Sequence, residues 1–135
     1  MFGAYNKRIK NVRTSNDWLT RDETVVDEYN AGKLTTFLFT VNGYRGLMNM
    51  ILYVRKPRNI AKIPKNLPML MVSGLDDPVG EYGKGVYRAY NTYHGHIDDI
   101  DLRLFEDCRH ELCNELNKEE IYEEIYGWIM NHMSK

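Results

Sequence analysis

Three observations predict an α/β fold with parallel strands. Residues 67–80, LPMLMVSGLDDPVG, hold a nearly unbroken apolar run between Pro64 and Pro68 at its start and Ser73-Gly74 at its end. A short apolar run between turn residues is the pattern of a strand buried on both faces, as in a parallel sheet covered by helices. Next, Tyr82, Val86, Ala89, Tyr90 and Tyr93 form a helical stripe that ends near Gly95. Finally, Ile100, Leu102 and Leu104 alternate with charged residues, which predicts a second strand near the sheet edge with one wet face. The chain closes on a helix: Asn117 and Glu120 form a capping arrangement, and Ile121, Ile125, Trp128 and Ile129 share one face. A strand-helix-strand-helix order implies parallel strands joined by a right-handed crossover.

The first sixty residues have a different character. Residues 1–16 are polar and basic, with Lys7, Arg8, Lys10 and Arg13 at no clean period, and read as a solvated loop. Thr20 and Glu23 have the spacing of a capping box, in which hydroxyl and carboxylate satisfy free amides at a helix start. Val25, Val26 and Tyr29 supply that helix with an apolar face, and Gly32 is placed to end it. Val41, Tyr44, Leu47, Met48, Ile51 and Leu52 recur at helical spacing and predict a second helix. The aromatic run at Phe37 and Phe39, with the helical Tyr44, Leu47 and Met48, is either core or the lining of an acyl-chain pocket.

Composition bounds the function classes. The chain has 135 residues, one domain's worth, and 43% of them are hydrophobic, which suffices for a core. A net charge of −1 lacks the basic surplus of a nucleic-acid-binding domain. Cys108 and Cys113 form neither a disulfide framework nor a metal spacing and read as reduced thiols. With no signal peptide and no apolar run long enough to cross a bilayer, the expected location is the cytoplasm.

The order of the elements gives the acidic pair a partner. Asp76 and Asp77 follow the first strand, where open α/β folds place their sites, or else they cap the next helix. If the two strands are parallel, their carboxyl ends share one edge, and His110 beyond the second strand can approach Asp77. A carboxylate bonded to one imidazole nitrogen fixes the tautomer and stabilises the imidazolium, as the acid does in a nucleophile-His-acid triad. The chain order acid then histidine is that of α/β-hydrolases, whose nucleophile comes earlier. None of the three serines, Ser15, Ser73 and Ser134, stands in a Gly-x-Ser-x-Gly elbow. His94-Gly95 ends a helix and marks no oxyanion loop.

Residues 68–80 (PMLMVSGLDDPVG), 82–86 (YGKGV) and the pair Arg109-His110-Glu111 with Asn114-Glu115 resemble the C-terminal part of bacterial α/β-hydrolases of the lysophospholipase, monoacylglycerol-lipase-like or serine aminopeptidase branch. Residues 2–8, 17–22 and 37–40 resemble the lid of that family. The resemblance implies a partial α/β-hydrolase: a helical lid segment over residues 1–60, then a β-α-β-α unit over residues 61–135. It implies that Asp77 is the triad acid and His110 the base, and that Asp77 rather than Asp76 has the required spacing from Gly74. It implies no metal or organic cofactor. It also implies that a complete member carries about as much chain again before this point, with the oxyanion loop and the nucleophile.

On this reading the substrate of the complete enzyme is a lipid-like acyl ester, the chain is inactive by itself, and its partner is the missing N-terminal half. Phe37, Phe39, Tyr44, Leu47 and Met48 then contact the acyl chain. A second reading is a non-catalytic α/β module that associates with a second copy of itself through an uncovered strand edge. A third is a metal site built from His94, His96, Asp98, Asp99 and Asp101, whose His-x-His spacing places two imidazoles on one side of a strand.

Overall fold

The computed structural model describes residues 4–133; Phe2 and Gly3, part of the lid resemblance, and Ser134 lie outside them. The element order is a 3-10 turn (Tyr5–Arg8), α1 (Glu23–Ala31), α2 (Val41–Val54), α3 (Pro57–Ile60), β1 (Met69–Gly74), α4 (Lys84–His94), β2 (Ile100–Phe105), a 3-10 turn (Leu112–Asn114) and α5 (Lys118–Met133). The two strands pair in parallel, from Met69 opposite Ile100 to Gly74 opposite Phe105. Both strands therefore end on one edge, and the chain segments carrying Asp77 and His110 leave the sheet side by side.

Alternation along β2 separates the two flanking helices, because successive side chains point to opposite faces. Leu104 faces the start of α4, where Gly83 lies against its side chain. Asp101 and Arg103 face α5: the Trp128 indole donates to Asp101 at 2.8 Å and Arg103 donates to Glu124 at 2.9 Å. The charged face expected to be wet stays partly so, with the Asp101 and Arg103 side chains 39% and 41% exposed, and its charges also attach α5. His132 is stacked on Trp128 with ring centroids 4.0 Å apart, and its Nε2 lies 3.3 Å from an Asp99 carboxylate oxygen.

β1 departs from the expectation of burial on both faces. Only Ser73 and Gly74 are buried, and Val72 is 36% exposed. The sheet has two strands, so one edge of β1 carries no neighbour among the described residues. A cleft of about 510 Å³ also runs over β1 between Ile60 and α4, where Val86 and Tyr93 face Met71. The apolar core lies beyond the other strand: Cys108, Leu112 and Ile121 are buried together, with Phe105 and Ile125 packed against them.

Two helix starts differ in detail from the sequence reading. Asp22, not Thr20, caps α1, its carboxylate accepting from the amides of Thr24 (3.0 Å) and Val25 (3.5 Å). The capping box is not formed because the buried Thr20 hydroxyl is committed elsewhere, donating to the carbonyl of Asn114 at 2.7 Å. At α5 the side-chain oxygen of Asn117 is taken by Arg21 and by the Cys108 thiol, while its amide donates to Glu120 at 3.3 Å. Gly32 does end α1, with an extended backbone (φ −73°, ψ 125°) rather than a left-handed one. α2 starts where its periodicity predicts, at Thr40, whose hydroxyl accepts from the Gly43 amide. No residue of α2 is buried.

Among the described residues of 1–16 none is buried, as expected of a solvated loop, but Tyr5–Arg8 form a turn and Arg13 and Thr14 wrap a buried carboxylate. Asp17 is buried and accepts from the backbone of Arg13 (2.6 Å) and Thr14 (3.1 Å) and from the Thr14 hydroxyl (2.6 Å). Burial pushes the Asp17 carboxyl up, but these hydrogen bonds outweigh it and hold the group below its ordinary value.

Candidate active site

The site begins with the chain crossing at the ends of the strands. Gly74 passes so close to the second strand's exit that a Cβ there would lie 2.0 Å from the carbonyl oxygen of Cys108 and 2.3 Å from that of Arg109. Leu75 donates to the Phe105 carbonyl and Asp76 to the Cys108 carbonyl, each at 2.9 Å. Backbone hydrogen bonds thus lace the loop carrying Asp77 to the loop carrying His110. Gly74→Ala is therefore expected to destabilise the fold by about 1–3 kcal/mol, read as a lower urea midpoint at unchanged slope. A midpoint within error of the wild type would show that the two loops separate freely.

Asp77 is buried, and its side chain and its backbone carbonyl are each held by an amide. One carboxylate oxygen accepts from the Val79 amide at 2.8 Å, and the Tyr82 amide donates to the Asp77 carbonyl at 2.8 Å. Glu81, Tyr82 and Gly83 all have positive φ (52°, 57° and 82°), a left-handed stretch that returns the chain into α4. Such backbone is costly for non-glycine residues and concentrates at functional sites. Asp76, by contrast, is exposed.

The other carboxylate oxygen of Asp77 lies 3.2 Å from Nδ1 of His110. Nδ1–H donates to the carboxylate in the neutral imidazole, which leaves Nε2 as the basic nitrogen. The hydrogen bond to Asp77 raises the His110 pKa above the ordinary imidazole value; burial opposes this, and the charges of Asp77 and Glu111 add to it. The ring is tilted against Trp18 at a centroid distance of 5.1 Å, and the backbone is tied to residues 18–19, with the Glu111 amide donating to the Leu19 carbonyl at 2.7 Å.

Behind His110 stands a group to which the sequence alone assigns no role. Glu115 is completely buried and accepts from the Arg109 amide at 2.7 Å and from Arg21 Nε at 2.8 Å. For Arg21, burial lowers the pKa, but the hydrogen bond and charge of Glu115 outweigh it and the guanidinium is held above its ordinary value. Arg109 in turn donates to the carbonyls of Asp17 (2.6 Å) and Thr20 (2.8 Å). The only sequence sign of this arrangement was the Asn114-Glu115 pair beside the histidine.

The remaining candidates are placed as follows. Phe37 and Phe39 meet edge to face at 5.2 Å, and Phe39 meets Tyr44 at 5.5 Å, at the start of α2. Leu47 and Met48 are exposed on the same helix. No hydrogen bond or ring contact joins these five to Asp77 or His110 among the described residues. The metal-site residues do not converge: His94 stacks near Tyr90, His96 Nε2 lies 2.7 Å from the Ile63 carbonyl, and Asp99 pairs with His132. Among the described residues no group of three His, Cys, Asp or Glu side chains could hold a metal. Ser73 is buried, its hydroxyl donating to the Gly74 carbonyl at 3.3 Å. Burial pushes the Cys108 thiol up, and Glu115 adds to that, so it is a poor nucleophile.

Residues 2–117 match the sequence profile of the family described as serine aminopeptidase, S33. The chain belongs to this hydrolase family. No curated protein matches it in sequence. Several solved structures share its fold, among them these two. One is a highly thermostable carboxyl esterase from Bacillus coagulans in complex with glycerol, at 24% identity and a TM-score of 0.80, covering 98% of this chain and 43% of the esterase. The other is a lipase in its open form, at 23% identity and a TM-score of 0.79, covering 93% of this chain and 41% of the lipase. The fold of this S33 member is thus that of a partial α/β-hydrolase, and the chain spans about two fifths of each of these structures. No helix among its described residues is long and apolar enough to cross a membrane.

Proposed function

We propose that this chain supplies the acid and the base of a serine hydrolase acting on carboxylic esters, in particular esters of a lipid-like monoacyl substrate. The observation that carries the reading is the hydrogen bond between His110 Nδ1 and the buried Asp77 carboxylate, at the shared end of two parallel strands in an S33-family chain. In this reading His110 Nε2 takes the proton of a serine hydroxyl as the hydroxyl attacks the ester carbonyl, then returns it to the leaving alcohol. Asp77 holds the tautomer and stabilises the imidazolium. Water repeats the sequence on the acyl-enzyme, with His110 again as base.

The first sixty residues act as a lid, and Phe37, Phe39, Tyr44, Leu47 and Met48 contact the acyl chain. The nucleophile and the oxyanion donors come from protein outside this chain. The coverage of the esterase and the lipase supports this, as does the buried Ser73 hydroxyl. The uncovered edge of β1, with Leu67 and Val72 exposed beside it, is where such a segment would extend the sheet. The same edge favours the second reading, a non-catalytic module that pairs with another copy of itself through β1.

Treatment with a fluorophosphonate separates these. The purified chain alone is expected to give no adduct by intact mass and no hydrolysis of a short-chain nitrophenyl ester. Mixed with the N-terminal part of an S33 hydrolase carrying its nucleophile, it is expected to restore both. A stoichiometric adduct on the isolated chain would show that the nucleophile lies within it and overturn the proposal.

A further inference from the structure

Charge is unevenly distributed along the chain. No carboxylate lies between Glu28 and Asp76, yet that stretch holds seven of the eighteen lysines and arginines, leaving eleven cations against nineteen carboxylates elsewhere. All seven are exposed, and among the described residues none forms an ion pair. Five of them, Arg55, Lys56, Arg58, Lys62 and Lys65, follow directly on α2. α2 itself is apolar on opposite sides. At 3.6 residues per turn Val41 and Met50 point half a turn apart, and they are 85% and 57% exposed; Leu52, near Val41, is 61% exposed.

We infer that residues 33–65 dock on an anionic lipid surface. A single protein neighbour, whether the rest of a hydrolase core or a second copy, covers one side of a helix and leaves the other in water. A lipid interface accepts apolar side chains below its headgroups and cations at them, and it covers the side of α2 that a protein neighbour leaves in water. The carboxylate-free stretch supplies the matching charge in a chain whose remainder is acidic. At fourteen residues α2 is too short to span a bilayer, so it lies in the interface plane. This inference does not depend on the ester chemistry, and its test contains no substrate.

The experiment is sedimentation of the full chain with vesicles of phosphatidylcholine alone, and with vesicles containing about 30 mol% phosphatidylglycerol. Binding to the anionic vesicles is expected to exceed binding to the neutral ones by about tenfold or more, and to fall sharply in about 0.5 M salt. Charge reversal at Arg55→Glu, Lys56→Glu and Arg58→Glu is expected to reduce anionic binding by about tenfold at an unchanged circular dichroism spectrum. The pair Lys62→Glu and Lys65→Glu, outside any helix, provides a second set if the first misfolds. Equal binding to both vesicle types, or no binding, overturns the inference. So does retention on heparin without vesicle binding, which assigns the charge to a polyanion. A dimeric mass without vesicle binding likewise overturns it and assigns the apolar face to a second copy.

Discussion

Asp77→Asn is expected to lower ester hydrolysis by about 10⁴-fold in the enzyme completed by a nucleophile-bearing segment, with little change in fold. The carboxylate accepts from His110 Nδ1 at 3.2 Å; an amide can offer its NH₂ there instead, which moves the imidazole proton to Nε2 and removes the base. The pH dependence gives the prediction a sign. His110 works as a base only when neutral, and its pKa is raised chiefly by the hydrogen bond to Asp77, against burial. The acid limb of kcat/KM is therefore expected to lie above the ordinary imidazole value of about 6.5, with the rate rising as His110 loses its proton. In Asp77→Asn that bond and charge are gone and burial remains, so the His110 midpoint shifts down.

Imidazole NMR on the isolated chain follows the same midpoint without any turnover. The linkage runs the same way: a raised folded pKa means that the pair stabilises the fold fully below the unfolded pKa of His110, and that this is lost as pH rises through the folded value. With the imidazole 37% exposed, solvent screening keeps that contribution small. An unchanged His110 midpoint in Asp77→Asn would mean that the two groups do not interact in solution, and the acid-base assignment would fall with it.

Glu115→Ala is expected to be the most destabilising single change near the site, at about 3–5 kcal/mol, because it empties a fully buried position and leaves the half-buried Arg21 guanidinium without its counter-charge. The Arg109 amide also loses its acceptor, and Arg109 precedes His110 directly. Against a typical domain stability of about 5–15 kcal/mol, this is enough to bring the chain close to unfolding. Urea denaturation measures it, with Glu115→Gln as the milder companion that keeps volume and one acceptor oxygen. A loss below about 1 kcal/mol, the value of an exposed ion pair, would show that the network is wet in solution and does not hold the His110 loop.

Local sequence determined the elements whose signals are short-range. The periodicity of α2, the stripe of α4, the alternation of β2 and the glycine and aspartate turn after β1 follow from side-chain spacing, and the structure forms each of them. Parallel strand order then made Asp77 and His110 candidates for contact, and they meet 33 positions apart in sequence.

What the tertiary structure alone decided concerns polar groups whose partners lie far along the chain. Thr20 leaves its capping position to bind Asn114, Arg21 reaches Glu115, and Arg109 reaches Asp17, pairs 92 to 94 positions apart. No periodicity registers such bonds, so nothing in the sequence marks Glu115 as fully buried. The partner of the half-exposed charged face of β2 is likewise a matter of tertiary structure: Asp101 and Arg103 hold α5. Hydrophobic patterning specifies which face of an element turns inward, whereas the partner of a buried charge is set only when the chain has folded, because an unpaired one is too costly to leave in the interior.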